Sequence, residues 1–197
     1  MAVSELVFAS HNRHKTKEIN ELLSGVYRVL SLDECGITDE IEETGATLDE
    51  NALLKARYVF DRIHKNCFAD DTGLEVESLN GRPGVYSARY AGPQKNSSDN
   101  IGLLLKELEG HANRKARFRT VVALILNGKE YLFEGVVEGS IALACAGEEG
   151  FGYDPVFIPD GSNRTFAQMS SAEKNAISHR ARAVELLVGF LRQTGEH

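Results

Sequence analysis

The dipeptide Asn127-Gly128 constrains the fold of this chain more than any other feature. Before it, in Ala116–Leu126, Phe118, Thr120 and Val122 alternate with Arg117, Arg119 and Val121 ahead of a more apolar end; after it comes Glu130–Ile141. Asn and Gly tolerate the positive φ that a two-residue hairpin turn requires. The spacing predicts a long hairpin, forming a second lobe or a flap beside a first sheet. That first sheet begins near the N-terminus, where Glu5–Ala9 is an apolar run suited to a buried strand and Tyr27–Leu32 offers another.

Helical spacing separates these runs. Lys15–Leu23 places Ile19, Leu22 and Leu23 on one face. Thr47 and Glu50 form a capping box that opens a longer helix, with Leu48, Ala52, Leu53, Ala56, Val59, Phe60 and Ile63 on its apolar face. Asn51 and Lys55 lie four apart and share another face. Lys55 reads as a solvated lysine, or as a phosphate contact if the helix start meets the chemistry described next. Ser98 or Asp99 caps a helix carrying Ile101, Leu104, Leu105 and Leu108, which Gly110 ends. A second capping box, Ser170 with Glu173, opens a final helix carrying Ile177, Ala181, Val184, Leu187, Val188 and Leu191.

The densest chemistry lies in Phe68–Leu74, Phe-Ala-Asp-Asp-Thr-Gly-Leu. The preceding Asn66–Ala69 reads as a short buried strand, so Asp70 and Asp71 are expected where it runs out into a loop, the place where ligands of α/β sheets collect. Adjacent strand residues point to opposite faces, so one aspartate faces a ligand while the other props the backbone. Thr72 adds a hydroxyl, and Gly73 permits a turn or a close approach. A plain turn after an edge strand fits the same tetrapeptide.

Other stretches carry the same two readings. Ser10-His-Asn-Arg-His-Lys15 joins a strand to a helix, which aims backbone N–H groups at an anion; it lacks Walker glycines, and Ser10 or Asn12 also suits an ordinary N-cap. His11, Arg13, His14, Lys15 and Lys17 crowd there in an acidic protein. Glu40–Gly45 is either a solvated loop or a carboxylate source for a hard cation such as Mg²⁺. Phe151-Gly-Tyr-Asp-Pro155 is a turn into a strand, or a place where Gly152 lets a flat ring approach the backbone. Lys174, Ser178, His179 and Arg180 cluster near the start of the final helix as an exposed set or a second anion or base contact.

Bulk properties narrow the class. A length of 197 residues suits one domain, 1–197. The net charge of −7 and the lack of any basic run argue against a general nucleic-acid binder. Cys35, Cys67 and Cys145 are odd in number and widely spaced, so a reducing setting is expected and neither a disulfide framework nor a zinc site. No apolar run reaches the roughly 18 residues of a membrane span. Ser4–Ser10 reads as a strand and not as a leader, so a soluble, cytoplasmic protein is expected.

Seven segments together resemble one family. They are Ser10-His-Asn-x-x-Lys15, Glu42-Glu-Thr-Gly45, Glu50-Asn-Ala-Leu-Leu-Lys55, Ala69-Asp-Asp-Thr-Gly73, Pro83-Gly-Val-Tyr-Ser-Ala-Arg-Tyr90, Phe151-Gly-Tyr-Asp-Pro155 and Glu173-Lys-Asn-Ala-Ile-Ser-His-Arg180. In this order the chain resembles the inosine triphosphate pyrophosphatase family, most closely its bacterial form. Ser10 departs from the threonine more usual there and keeps the hydroxyl.

The resemblance implies an α/β fold with a long mixed β-sheet and flanking helices, in two lobes around a central substrate cleft. It also implies a homodimer that uses Mg²⁺. The implied activity is hydrolysis of ITP, dITP, XTP and dXTP to the nucleoside monophosphate and pyrophosphate, clearing them from the nucleotide pool. By the same pattern Asp71 is the base or positioner for the attacking water, and the metal is held by Asp71 and Glu43, with Glu42 as the alternative glutamate and Asp70 as the runner-up for either role of Asp71. Ser10, His11, Asn12, Arg13, His14, Lys15 and Lys55 are implied at the phosphates, and Thr72 is implied among the substrate contacts. Phe151, Gly152, Tyr153, Asp154, Lys174, His179 and Arg180 are implied at the base, with Arg180 or a backbone N–H donating to purine O6. A pyrophosphatase for modified pyrimidine nucleotides and a nucleotide sensor without turnover are the rival readings.

Overall fold

The structure is a computed structural model and describes residues 5–194. Ser4, the first residue of the expected N-terminal strand, lies outside the described residues. The chain divides into two compact units: one holds the residues up to Asp71, Thr120–Gly135 and the residues from Arg180 on, and the other holds Thr72–Arg119 and Val136–His179.

In the first unit, strand β1 (Glu5–Phe8) pairs in parallel with β2 (Arg28–Leu30), and helix α1 (Arg13–Leu23) connects them. Asn12 caps α1 by accepting hydrogen bonds from the backbone N–H groups of His14 and Lys15. Helix α2 (Leu48–Ile63) starts at Thr47, whose side chain accepts from Glu50 N. The expected capping box is half realised, because the Glu50 carboxylate reaches past Thr47 to accept from Ala46 N at 2.6 Å. α2 ends at His64, which adopts φ 48° and donates its N–H to Phe60 O. The buried face of α2 is Leu48, Ala52, Ala56 and Val59, and it also carries Asn51 and Lys55. The expectation of a solvated Lys55 is therefore overturned.

Strand β3 (Cys67–Val76) follows and pairs in parallel with β1 through Val7↔Cys67 and Phe8↔Phe68. It does not stop at the aspartates. Asp70 and Asp71 lie inside a ten-residue strand, not in a loop after it. The backbone stays extended because β3 continues to pair, meeting β4 (Pro83–Gly84) at Leu74 and Glu75. Gly73 makes the close approach expected of it, since a Cβ there would lie 2.7 Å from Gly84 O.

Helix α3 (Ser97–Glu107) is capped by Asn96, not by Ser98 or Asp99. Strands β5 (Lys115–Leu126) and β6 (Lys129–Ile141) form the expected hairpin, with Asn127 and Gly128 at φ 51° and 77°. They are not a flap. Among the described residues the strands form one seven-stranded sheet in the order β2-β1-β3-β5-β6-β7, with β4 beside β3 and β7 (Phe157–Pro159) antiparallel to β6. The hairpin strands serve both units, Thr120–Gly135 in the first and the flanking residues in the second. The sheet mixes parallel and antiparallel pairs, and helices flank it, as the resemblance implies.

Each unit closes its own core. Leu6, Phe8, Ile19, Phe68, Leu124 and Leu187 are among the first, and Leu74, Leu104, Phe118, Val156, Phe157 and Phe166 among the second. The final helix is two helices. The complete Ser170–Glu173 capping box opens α4 (Ser171–Asn175), and after a turn α5 (His179–Thr194) begins. Ser178 precedes α5, and serine favours a position just outside a helix over its interior.

Candidate active site

In the first unit the two aspartates divide their partners as strand alternation requires. Asp70 is 1% exposed. It accepts from Lys15 Nζ at 3.1 Å and from Arg180 Nε at 3.1 Å, and Arg180 also donates to Glu18. Burial alone would raise the Asp70 pKa, but Lys15 and Arg180 outweigh it and hold the carboxyl well below its usual range. The Lys15 pKa is lowered, chiefly by burial and further by Lys55 and Arg180, against the pull of Asp70. Arg180 is 1% exposed and its guanidinium is closed in by Asp70 and Glu18.

Asp71, 6% exposed, faces the other set. Its Oδ2 accepts from Asn51 Nδ2 at 3.1 Å, and Lys55 Nζ lies 3.5 Å from its Oδ1. The same ammonium donates to Glu43 Oε1 at 2.6 Å. One lysine thus sits between a loop carboxylate and a strand carboxylate. Burial works against the Lys55 charge, but Asp71 and Glu43 outweigh it and its pKa rises. The Asp71 pKa is raised by burial and by Glu43, although Lys55, Lys15 and the Asn51 bond oppose the rise. A carboxylate so placed is a better proton acceptor than a free aspartate.

The remaining expected phosphate contacts spread out. Ser10 accepts from Asn12 N at 3.2 Å, and the Asn12 side chain is used as the cap of α1. His11 Nε2 lies 3.0 Å from Asp39 O, and His11, Arg13 and His14 are exposed. Ser10, His11, Arg13, Thr16 and Lys17 help line a cavity of about 570 Å³ along α1 that does not include Lys15, Asp70 or Asp71. Glu43, half-buried, joins the Lys55 cluster, whereas its neighbour Glu42 is exposed. Thr72 is half-buried on β3, immediately after Asp71.

The second unit holds the aromatic turn. Asp154, 2% exposed, accepts from Phe151 N at 2.8 Å and from Lys174 Nζ at 2.7 Å. The Lys174 ammonium also lies 5.0 Å from the Phe151 ring centre, within cation–π range. Tyr153 OH donates to Ser87 O at 2.9 Å, and burial pushes its phenol pKa up. His179 packs its ring 4.7 Å from that of Phe118. Gly152 has φ 62°, and nothing lies within 4 Å of where a side chain would start. Lys174 and His179 are thus buried members of this unit and not an exposed set with Arg180, whose partners lie in the first unit.

Sequence reasoning missed Glu18 and Asn51 as parts of these clusters. The spacing of Asn51 and Lys55 was a usable signal, since two polar residues on one helix face need a common reason to be there.

A family model described as the Ham1 family matches residues 6–190. The chain belongs to the Ham1 family. A relative from Porphyromonas gingivalis, named dITP/XTP pyrophosphatase, is 52% identical over 190 residues, covering 96% of this chain and 98% of its own. A relative of the same name from Flavobacterium psychrophilum is 50% identical over 188 residues, with 95% and 99% covered. The solved Ham1 protein of Staphylococcus aureus superposes with a TM-score of 0.88 at 41% identity, over 97% of this chain and 100% of that one. The family resemblance carried by the seven motifs is borne out. No helix among the described residues is long and apolar enough to cross a membrane.

Proposed function

We propose that this Ham1-family chain hydrolyses dITP, ITP, XTP and dXTP at the α–β phosphoanhydride bond, giving the nucleoside monophosphate and pyrophosphate. The observation that supports this most directly is the Lys55 ammonium set between Glu43 and Asp71. A triphosphate is a dense anion, and its hydrolysis depends on charge neutralisation and positioning more than on covalent chemistry.

The cation of choice is Mg²⁺. Glu43 and Asp71 are hard oxygen donors facing one positive charge, which suits an ion that takes few protein carboxylates and draws its other ligands from phosphate and water. Among the described residues no group of three or more His, Cys, Asp or Glu is placed to hold a metal. Bound there, Mg²⁺ would neutralise phosphate charge and make water more acidic. Asp71 accepts a proton from the attacking water. Lys55 balances the carboxylates and meets the phosphates together with Lys15, Ser10 and the start of α1. Asp70 has both oxygens committed to Lys15 and Arg180, so it orients these cations and is not the base.

Phe151, Gly152 and Tyr153 receive the purine, with the Asp154–Lys174 pair behind them. A 6-keto purine offers an acceptor at O6 and a donor at N1, and adenine offers the reverse, so the wrong base leaves buried groups unpaired. With Arg180 enclosed by Asp70 and Glu18, a backbone N–H is the better O6 donor. Residues 1–197 act as one functional domain in a cytoplasmic homodimer, without nucleic-acid partners.

The deciding experiment is a Mg²⁺-dependent release assay on dITP and XTP beside dATP, dGTP, dCTP and dTTP, with pyrophosphate and orthophosphate scored separately. Pyrophosphate from the first two and little from the rest is the expected result. Orthophosphate as first product overturns the bond assignment, and tight binding without any product points to a sensor.

A further inference from the structure

Asn51 is fully buried in the first half of α2, at a position where a helix of this kind normally carries an apolar side chain. Its amide bonds to neither neighbouring turn. Oδ1 accepts from Gly45 N at 2.7 Å, at the end of the acidic loop that carries Glu43. Nδ2 donates to Asp71 Oδ2 at 3.1 Å, on β3. Only one orientation serves both contacts, because a backbone N–H must donate and an ionised carboxylate must accept. The fit is close on the loop side as well: a Cβ on Gly45 would lie 2.7 Å from Asn51 Oδ1.

Lys55, one turn further along the same face, spans the same two elements through Glu43 and Asp71. Each Asp71 oxygen therefore has its own partner, Oδ2 with Asn51 and Oδ1 with Lys55, and this fixes the rotation of the carboxylate. Glu50 pins the next loop residue through Ala46 N but carries nothing across to Asp71. We propose that Asn51 is a positioning residue whose amide ties the acidic loop at Gly45 to the Asp71 carboxylate, so that Glu43 and Asp71 are held as one unit around Lys55. The turnover it serves rests on the function proposed above; the geometry it sets does not.

The test compares Asn51→Leu, which keeps the volume and loses both bonds, with Asn51→Ser, which is too short to span them, and with Glu50→Ala as the control for loop anchoring alone. Three readouts separate positioning from general stability: kcat and KM for dITP, Mn²⁺ affinity of the nucleotide-free protein by electron paramagnetic resonance, and folding by circular dichroism. Groups that orient metal-site side chains typically matter by about 10- to 100-fold. Both Asn51 variants are expected to lose about tenfold or more in kcat and in Mn²⁺ affinity, with KM for dITP little changed, while Glu50→Ala stays close to the parent. A folded Asn51 variant with parental kcat and Mn²⁺ affinity overturns the proposal. So does an equal loss in Glu50→Ala, or failure of both Asn51 variants to fold, since either makes the role structural. A parent that releases no pyrophosphate defeats the functional reading alone, because the Mn²⁺ titration still reports on Asn51.

Discussion

Asp70 and Asp71 are neighbours with opposite electrostatic fates. Burial raises both, but Lys15 and Arg180 drive Asp70 down, while Glu43 adds to the rise at Asp71. An acid with a raised folded pKa costs stability when ionised. Asp71→Asn is therefore expected to abolish turnover, by about 100-fold or more for a lost general base, and to melt no lower than the parent at pH 7. An active Asp71→Asn enzyme sinks the assignment, and a large drop in Tm sinks the electrostatic account. Asp70 works in the other direction. Its lowered pKa stabilises the fold above the unfolded value of about 3.9 and is lost as pH falls through the folded value. The Tm difference between parent and Asp70→Asn should be large at neutral pH and shrink below about pH 4. A gap that stays constant with pH would show that the Asp70 ion pairs contribute nothing. These pairings were only half legible. Alternation along a strand follows from backbone geometry, so the divergence of the two side chains was readable; Arg180 as a partner of Asp70, 110 positions away, was not.

At the scale of elements, the local signals that held are those whose whole mechanism fits within a few residues. Asn127-Gly128 makes the turn, Ser170 with Glu173 makes the capping box, and Asn12 caps α1. Ser170→Ala should cost about 1 kcal/mol, read from chemical denaturation, because it strips an accepting side chain from the first turn of α4. The larger failures concern where elements go after they form. β3 was expected to end at Ala69, yet it runs on to Val76 because further strands pair with it. Gly73→Ala tests that continuation. The new methyl meets the Gly84 carbonyl at 2.7 Å and forces a backbone shift, for an expected cost of about 1–3 kcal/mol. Unchanged stability would mean that the β3–β4 contact yields freely. The Thr47 capping box failed by one residue, as Glu50 chose Ala46 N over the Thr47 N–H.

At the scale of the molecule, a chain of net charge −7 is proposed to bind a polyanion. Its cations are gathered locally, with Lys15, Lys55 and Arg180 paired to Asp70, Asp71 and Glu43. Chelation by EDTA should abolish pyrophosphate release and added Mg²⁺ should restore it. With Mg²⁺ replaced by Ca²⁺ to suppress turnover, dITP at 100 times its Kd should add about 2.7 kcal/mol of stability by mass action. dATP at equal concentration should add much less. Equal stabilisation by both would remove base selectivity from the binding step. The sequence by itself determined the first three α-helices, most strands, the hairpin turn and the family, because periodicity, caps and motif order are written in residues close along the chain. Tertiary structure alone decided that Lys55 is buried between two carboxylates, that Asn51 bridges Gly45 to Asp71, and that the hairpin joins the central sheet. The physical reason is that a charge is buried only where distant residues supply its counter-charge, and no local pattern specifies which distant residues those will be.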